Sequence, residues 1–241
     1  MGRVSLVAAA VCPHPPLIVP EVAAGAAAEL DDLRAACDEV LDGLRRTQPD
    51  EVVVLGSGER TEWFKSDVGG SLAGFGVRLD VPPPMGDPPG EPHLPLSLTI
   101  GAWLLARRPP GTTVVTATIA RDASVDACAA FGAEVAARAR RVGLLVMGDG
   151  SARRSVRAPG YEDPRAEPYD RAVSRALARA DVDAVLGLDE ALSADLWVAG
   201  RAPWQALAGA AREAGGTWIG DLRYDAAPYG VAYLVALWRR A

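Results

Sequence analysis

Four apolar runs, three of them leaving into a turn rich in glycine, proline or charge, constrain this chain more than any other feature. Val4–Val11, Glu51–Leu55, Thr113–Ile119 and Gly143–Met147 are short and mostly β-branched or aliphatic, as strands buried on both faces must be. The segments between them carry a different period. In residues 26–46 the apolar positions Leu30, Leu33, Ala36, Cys37, Val40, Leu41 and Leu44 recur at spacings of three and four, as on one helical face. Residues 94–106 read as a helix opened by Pro95 and ended before Pro109-Pro110-Gly111, and residues 122–141 as another through Val125, Cys128, Phe131, Val135 and Ala139. Strand alternating with helix predicts a parallel sheet covered on both faces.

The last third continues the pattern and then changes it. Helical segments are expected at 168–180, 184–188 and 191–198, and in a further helix opened by Arg201-Ala202-Pro203-Trp204-Gln205 and stopped by Gly215-Gly216. Residues 218–224 and 230–237 read as two strands joined too closely for a crossover, so they are expected as an antiparallel addition. The predicted architecture is a three-layer α/β/α sandwich with a mostly parallel central sheet. No linker divides the sequence, so residues 1–241 are expected to form a single domain.

Composition excludes several classes of function. A 49% hydrophobic and 23% charged chain is not a disordered one. A net charge of −6 argues against nucleic-acid and anionic-membrane partners, which need clustered positive charge. Three cysteines, Cys12, Cys37 and Cys128, are odd in number and lack metal-type spacing, so neither a disulfide framework nor a zinc site is expected and a reducing cytoplasm fits best. No apolar run reaches membrane-spanning length, and the N-terminal run passes into Cys12-Pro13-His14 without a signal-peptide cleavage segment.

Parallel strands bring their C-terminal ends to one edge, and three turns are expected to meet there. The first is Val11-Cys12-Pro13-His14-Pro15-Pro16-Leu17, rigid by its prolines and carrying one of the two histidines. His14 reads either as a ligand or proton carrier or as a histidine hydrogen-bonded into its loop. The second turn, Gly56-Ser57-Gly58-Glu59-Arg60-Thr61, lacks the third glycine of a dinucleotide fingerprint. Glu59 and Arg60 read as pocket-edge charges or a solvated turn. The third, Gly148-Asp149-Gly150-Ser151-Ala152-Arg153-Arg154, offers a carboxylate and two arginines. The glycine- and proline-rich stretch 66–90 reads as a loop over this edge or as a surface excursion, and His93 as a helix-entry residue. Trp197 and Trp204 read as packing residues.

Laid side by side, these motifs resemble the class III extradiol ring-cleavage dioxygenase superfamily, with its Memo-like relatives. The likeness runs through Pro13-His14-Pro15-Pro16-Leu17-Ile18-Val19-Pro20, the strand 52–55, Gly148-Asp149-x-Ser151, Ala158-Pro159-Gly160-Tyr161, Asp163-Pro164, Arg201-Ala202-Pro203-Trp204 and Ala227-Pro228-Tyr229-Gly230. The resemblance implies a ferrous site of two histidines and a carboxylate, which leaves positions open for a catecholate and oxygen, and a further histidine moving protons. His14 matches the first iron ligand. The turn at Gly58-Glu59-Arg60 stands where the second histidine is expected, Ala152 where a later one is, and Val198 or a neighbour where the carboxylate is.

The sequence therefore reads as a diverged member of that superfamily that has no intact metal site and needs no cofactor. His14 and Asp149 are the candidate reactive pair, with Cys12, Glu59, Arg60, Arg153 and Tyr229 lining a pocket for a small anionic or aromatic ligand. Two alternatives stay open. One is an active Fe(II) enzyme with relocated ligands, in which His14 binds metal and Glu59 or His93 compensates. The other is a scaffold or partner-binding protein. A homo-oligomer is compatible with all three.

Overall fold

A computed structural model describes residues 6–81 and 94–241. The four apolar runs are the four parallel strands β1 (Leu6–Cys12), β2 (Glu51–Gly58), β6 (Thr113–Ala120) and β7 (Val142–Met147), lying side by side in the order β6-β2-β7-β1. Their continuous hydrophobicity has a direct cause, since each strand feeds two cores at once. Along β2, Val53 and Leu55 face one helical layer while Val52 and Val54 face the other, and along β1, Ala9 and Val11 oppose Ala8, Ala10 and Cys12. Alternation of side chains across the pleat does this.

Antiparallel strands close both margins. The short β3 (Glu62–Phe64) pairs with β6, while β9 (Tyr233–Arg240) pairs with β1 and β8 (Trp218–Ala226) with β9, giving a seven-stranded sheet β3-β6-β2-β7-β1-β9-β8. The layer built on β1, β2 and β7 through Cys12, Val54 and Met147 contains α2 (Asp31–Arg46) and α3 (Leu96–Arg107). The opposite layer contains α4 (Val125–Ala136), α5 (Ala166–Arg179), α6 (Val182–Leu186) and α8 (Arg201–Ala214). Two short helices, α1 (Pro20–Ala23) and α7 (Glu190–Asp195), complete the set, with a separate ribbon of β4 (Gly70–Ser71) and β5 (Asp80–Val81) against α3. The architecture is the expected α/β/α sandwich with its antiparallel C-terminal addition. No helix among the described residues is long and apolar enough to cross a membrane.

Local differences from expectation have local causes. The segment expected as helix from residue 26 is 3-10 over Ala24–Leu30, and regular α-helix begins only at Asp31, where Asp31 and Asp32 supply acidic side chains to the first turn. The helix expected to reach 141 ends at Ala136, and beyond it Arg138 makes a two-pronged pair with Glu51 at 2.6 and 3.1 Å. Of the loop at 66–90, the part to Val81 forms the β4-β5 ribbon and a 3-10 turn at Ala73–Phe75 and does not line the cleft described below. The remainder of that loop and His93 lie outside the described residues.

Chain direction reverses at β7. The path from β1 through β2 to β6 moves outward with α2 and α3 on one face, then returns through α4 on the other face to insert β7 between β2 and β1. Such a reversal opens a crevice at the C-terminal ends of the strands.

Helices α4 and α8 meet closely enough that a side chain is excluded at the crossing. A Cβ on Gly132 would strike the backbone carbonyl of Ala206, and one on Gly209 would lie 2.5 Å from the Ala129 Cα. Gly132→Ala is therefore expected to lower unfolding stability by about 1–3 kcal/mol through overpacking. Gly25→Ala, where nothing lies within 4 Å, should be neutral. Urea unfolding of both variants against the parent checks the contrast.

Candidate functional site

The C-terminal ends of β1, β2 and β6 open into a cleft of about 1130 Å³. Its lining joins His14 from the turn after β1, Ser57, Gly58 and Glu59 from the end of β2, and Arg121 and Asp122 from the turn after β6. One wall is Pro95, Leu96 and Ser97 at the start of α3. The facing wall is α7 and the turn after it, through Ala191, Ala194, Trp197, Val198 and Ala199. The surface is largely apolar with a few polar groups, as a small-molecule site is.

His14 is set by the loop beside it. The N–H of Gly148 donates to the carbonyl of Cys12 at 3.0 Å, so β1 and β7 leave the sheet together. The next residue, Asp149, accepts the backbone N–H of His14 on Oδ1 at 2.7 Å. Asp149 is held in turn, because its carbonyl accepts from Gly200 at 2.8 Å and the neighbouring Gly150 donates to Ala232 at 2.8 Å. Gly148 can bear no side chain here, since a Cβ would lie 2.5 Å from the Cα of Gly200. Ser151 completes the anchoring by donating its N–H and hydroxyl to the buried Asp170 at 2.8 and 2.6 Å. Burial pushes the Asp170 carboxyl above its usual range despite those bonds and that of Arg154.

The side chain of His14 is 10% exposed, and its Nδ1 is enclosed with no hydrogen-bond partner. Asp149 Oδ1 stands 3.7 Å from that nitrogen, beyond hydrogen-bond distance but near enough to favour the tautomer with the proton on Nδ1. With Nδ1 enclosed, Nε2 is the nitrogen the cleft can reach, and in that tautomer it is an acceptor. The same carboxylate faces the second core, where burial and the Asp149 charge push the Tyr233 phenol up.

The predicted site residues divide. His14 and Glu59 line the cleft, and Asp149 sits behind His14. Cys12 does not line it, because its side chain falls on the α2 face of β1, fully buried near Cys37. Arg60 is exposed beyond the rim, where its carbonyl accepts from Thr118 at 2.8 Å. Tyr229 is turned away and donates to Glu29 at 2.9 Å. Arg153 is absent from the lining but lies over the ring of Trp197, with its Cζ 5.2 Å from the centroid.

Several lining residues escaped the sequence reading. Arg121 and Asp122 follow β6, the third parallel strand in chain order, so the rule that singled out the turns after the other three applies to them equally. Trp197 was read as packing, yet it is 54% exposed in the cleft wall, whereas Trp204 is fully buried. Arg201 is 4% exposed, and its guanidinium is spent on the carbonyls of Ala123 and Arg121 and on Gln205. No sequence signal separates such an internally satisfied arginine from a ligand-binding one.

The residues present do not fit the ferrous centre implied by the resemblance. Among the described residues, no group of three or more His, Cys, Asp and Glu side chains is placed to hold a metal ion. Glu59 is exposed, Ala152 donates its N–H to Leu196, and Val198 occupies the turn after α7. The charged lining groups are two arginines against the carboxylates Glu59, Asp122 and Glu190, so the cleft has no net positive field.

Neither a protein-family model nor a curated protein matches this chain. Among solved structures it is similar to the crystal structure of uncharacterized protein JW3007 from Escherichia coli K12, at 13% identity over 97% of this chain and 99% of that one, with a TM-score of 0.62. At that identity the likeness is one of fold.

The burial of the cysteines gives a simple check on their exclusion from the cleft. All three are free thiols out of solvent, and burial pushes Cys128 up to about 11 and Cys12 well above its ordinary value. A thiolate-directed disulfide reagent at pH 8 is expected to label none of them in the folded protein and all of them in denaturant. Rapid labelling of Cys12 in the folded state would place its sulfur in the cleft after all.

Proposed function

We propose that this chain is a diverged relative of the class III extradiol ring-cleavage dioxygenases that has no intact ferrous site and uses the cleft to bind a small ligand with an aromatic or apolar body. The observation carrying this reading is the imidazole of His14, backed by Asp149, with one nitrogen enclosed and unpartnered and the other turned to the cleft. Nδ1–H beside a carboxylate leaves Nε2 to accept, so the favoured ligand presents a hydroxyl or other donor to it. Of the two ligand classes considered from sequence, the balance of charges favours a neutral aromatic over an anion. Arg153 and Tyr229, the side chains that suggested an anion, do not line the cleft, and Arg201 is already satisfied. An open cleft of this size also supports ligand binding over a scaffold role, in which side chains would fill the ancestral site.

Calorimetric titration with 2-naphthol tests this reading. His14→Ala is expected to weaken binding about tenfold, the worth of a hydrogen bond to a mostly buried partner. Unchanged affinity in the variant would remove His14 from the ligand site. Anaerobic reconstitution with Fe(II) tests the other half, and iron is expected to remain far from stoichiometric. Near-stoichiometric iron that is lost in His14→Ala would instead establish an iron protein with relocated ligands.

A further inference from the structure

Helix α7 ends in a hydrogen-bond pattern whose geometry asks for glycine and receives tryptophan. Trp197 N–H donates to Ala194 at 3.1 Å and Val198 N–H to Ser193 at 2.9 Å, the paired bonds of a Schellman cap with Trp197 at the left-handed position. Its φ is +57°, a conformation that costs a residue bearing a Cβ and costs glycine nothing. The turn is over-determined, since Leu196 also accepts from Ala152 at 3.0 Å and Gly200 donates to Asp149 at 2.8 Å. The indole is therefore held in fixed relation to the loop that positions His14, yet 54% of the residue remains exposed in the cleft wall. Local stability explains neither the tryptophan nor its exposure.

The second observation concerns the ring's surroundings. Arg153 lies over Trp197 at 5.2 Å but is absent from the cleft lining, so its guanidinium backs the ring while the cleft meets the ring from elsewhere. Arg153 is confined there by Gly160, where a Cβ would fall 2.7 Å from the Arg153 Cγ, and its buried Nε has no hydrogen-bond partner. A cation over an indole draws π density toward itself, so a ring stacked on the same indole is held better when it is electron-rich.

We infer that Trp197, backed by Arg153, is the specificity-determining platform of the cleft, on which an electron-rich planar aromatic ligand stacks. The inference rests on the reading of the cleft as a ligand site and names the residues that select the ligand's shape and electronics. His14 takes the ligand's donor group, and Trp197 separates flat rings from saturated bodies of the same size.

Binding of 2-naphthol and of its saturated analogue decahydro-2-naphthol, measured by calorimetry on the full chain, tests it. The parent is expected to prefer 2-naphthol about tenfold, the order of one aromatic contact. Trp197→Phe should keep most of that preference and Trp197→Gly abolish it, while the melting temperature of Trp197→Gly stays level or rises because glycine relieves the left-handed φ. Between 6-methoxy- and 6-cyano-2-naphthol at pH 6.5 the parent should favour the methoxy compound, and Arg153→Met should narrow the gap. If Trp197→Gly binds 2-naphthol as the parent does while His14→Ala still weakens it, the platform is refuted and the cleft reading survives. If the parent binds none of these compounds, or binds them without regard to His14, both fall.

Discussion

Burial of β1, β2 and β7 on both faces is the constraint from which the rest of the molecule follows. A strand enclosed between two helical layers can expose polar side chains only where it leaves the sheet. Parallel pairing brings those exits to one edge, and the insertion of β7 between β2 and β1 spreads the exits apart. The cleft is thus a consequence of topology before any particular side chain is chosen. What the side chains add is its chemistry: an imidazole, an indole, a mixed rim of charge and an apolar wall.

The second requirement is rigidity at the end of β7. Gly148 and Gly200 approach so closely that neither admits a side chain, Trp204 fills the space behind them, and the loop they form carries Asp149 to the backbone of His14. This joins the turn after β1, the turn after β7 and the entry to α8 into one hydrogen-bonded piece. The tryptophan at the end of α7 belongs to the same piece through Leu196 and Ala152. His14 and Trp197, which both line the cleft, are therefore tied to one another through backbone hydrogen bonds and the Asp149 carboxylate, the arrangement that holds a binding geometry with least cost on ligand entry.

The contrast between Cys12 and His14 shows where reading along the chain loses resolution. Both stand in one proline-rich turn, two positions apart, and both were assigned to the pocket. Cys12 is still within the pleat, and strand alternation sends its thiol into the α2 core beside Cys37. His14 lies past the last ladder bond, where Pro13 and Pro15 set the backbone and Asp149 takes its N–H. The end of the strand between Cys12 and His14 decides between core and cleft. Arg153 and Tyr229 failed to line the cleft for a different reason. Arg153 is taken up behind the wall by the ring of Trp197 and Tyr229 by Glu29, and such pairings join residues far apart in sequence.

Hydrophobic period, helix punctuation and turn composition were enough to determine the layers, the parallel centre, the antiparallel C-terminal strands and the edge at which a site could form, because these depend on local pattern and on which faces must leave water. The position of Trp197 in the cleft wall, the internal satisfaction of Arg201 and the enclosure of the His14 Nδ1 were decided only by tertiary structure. Whether a polar or aromatic group faces ligand, solvent or another side chain depends on the competing partners that folding brings within about 3–5 Å of it. Those partners come from separate strands and helices, and no spacing along one segment encodes them.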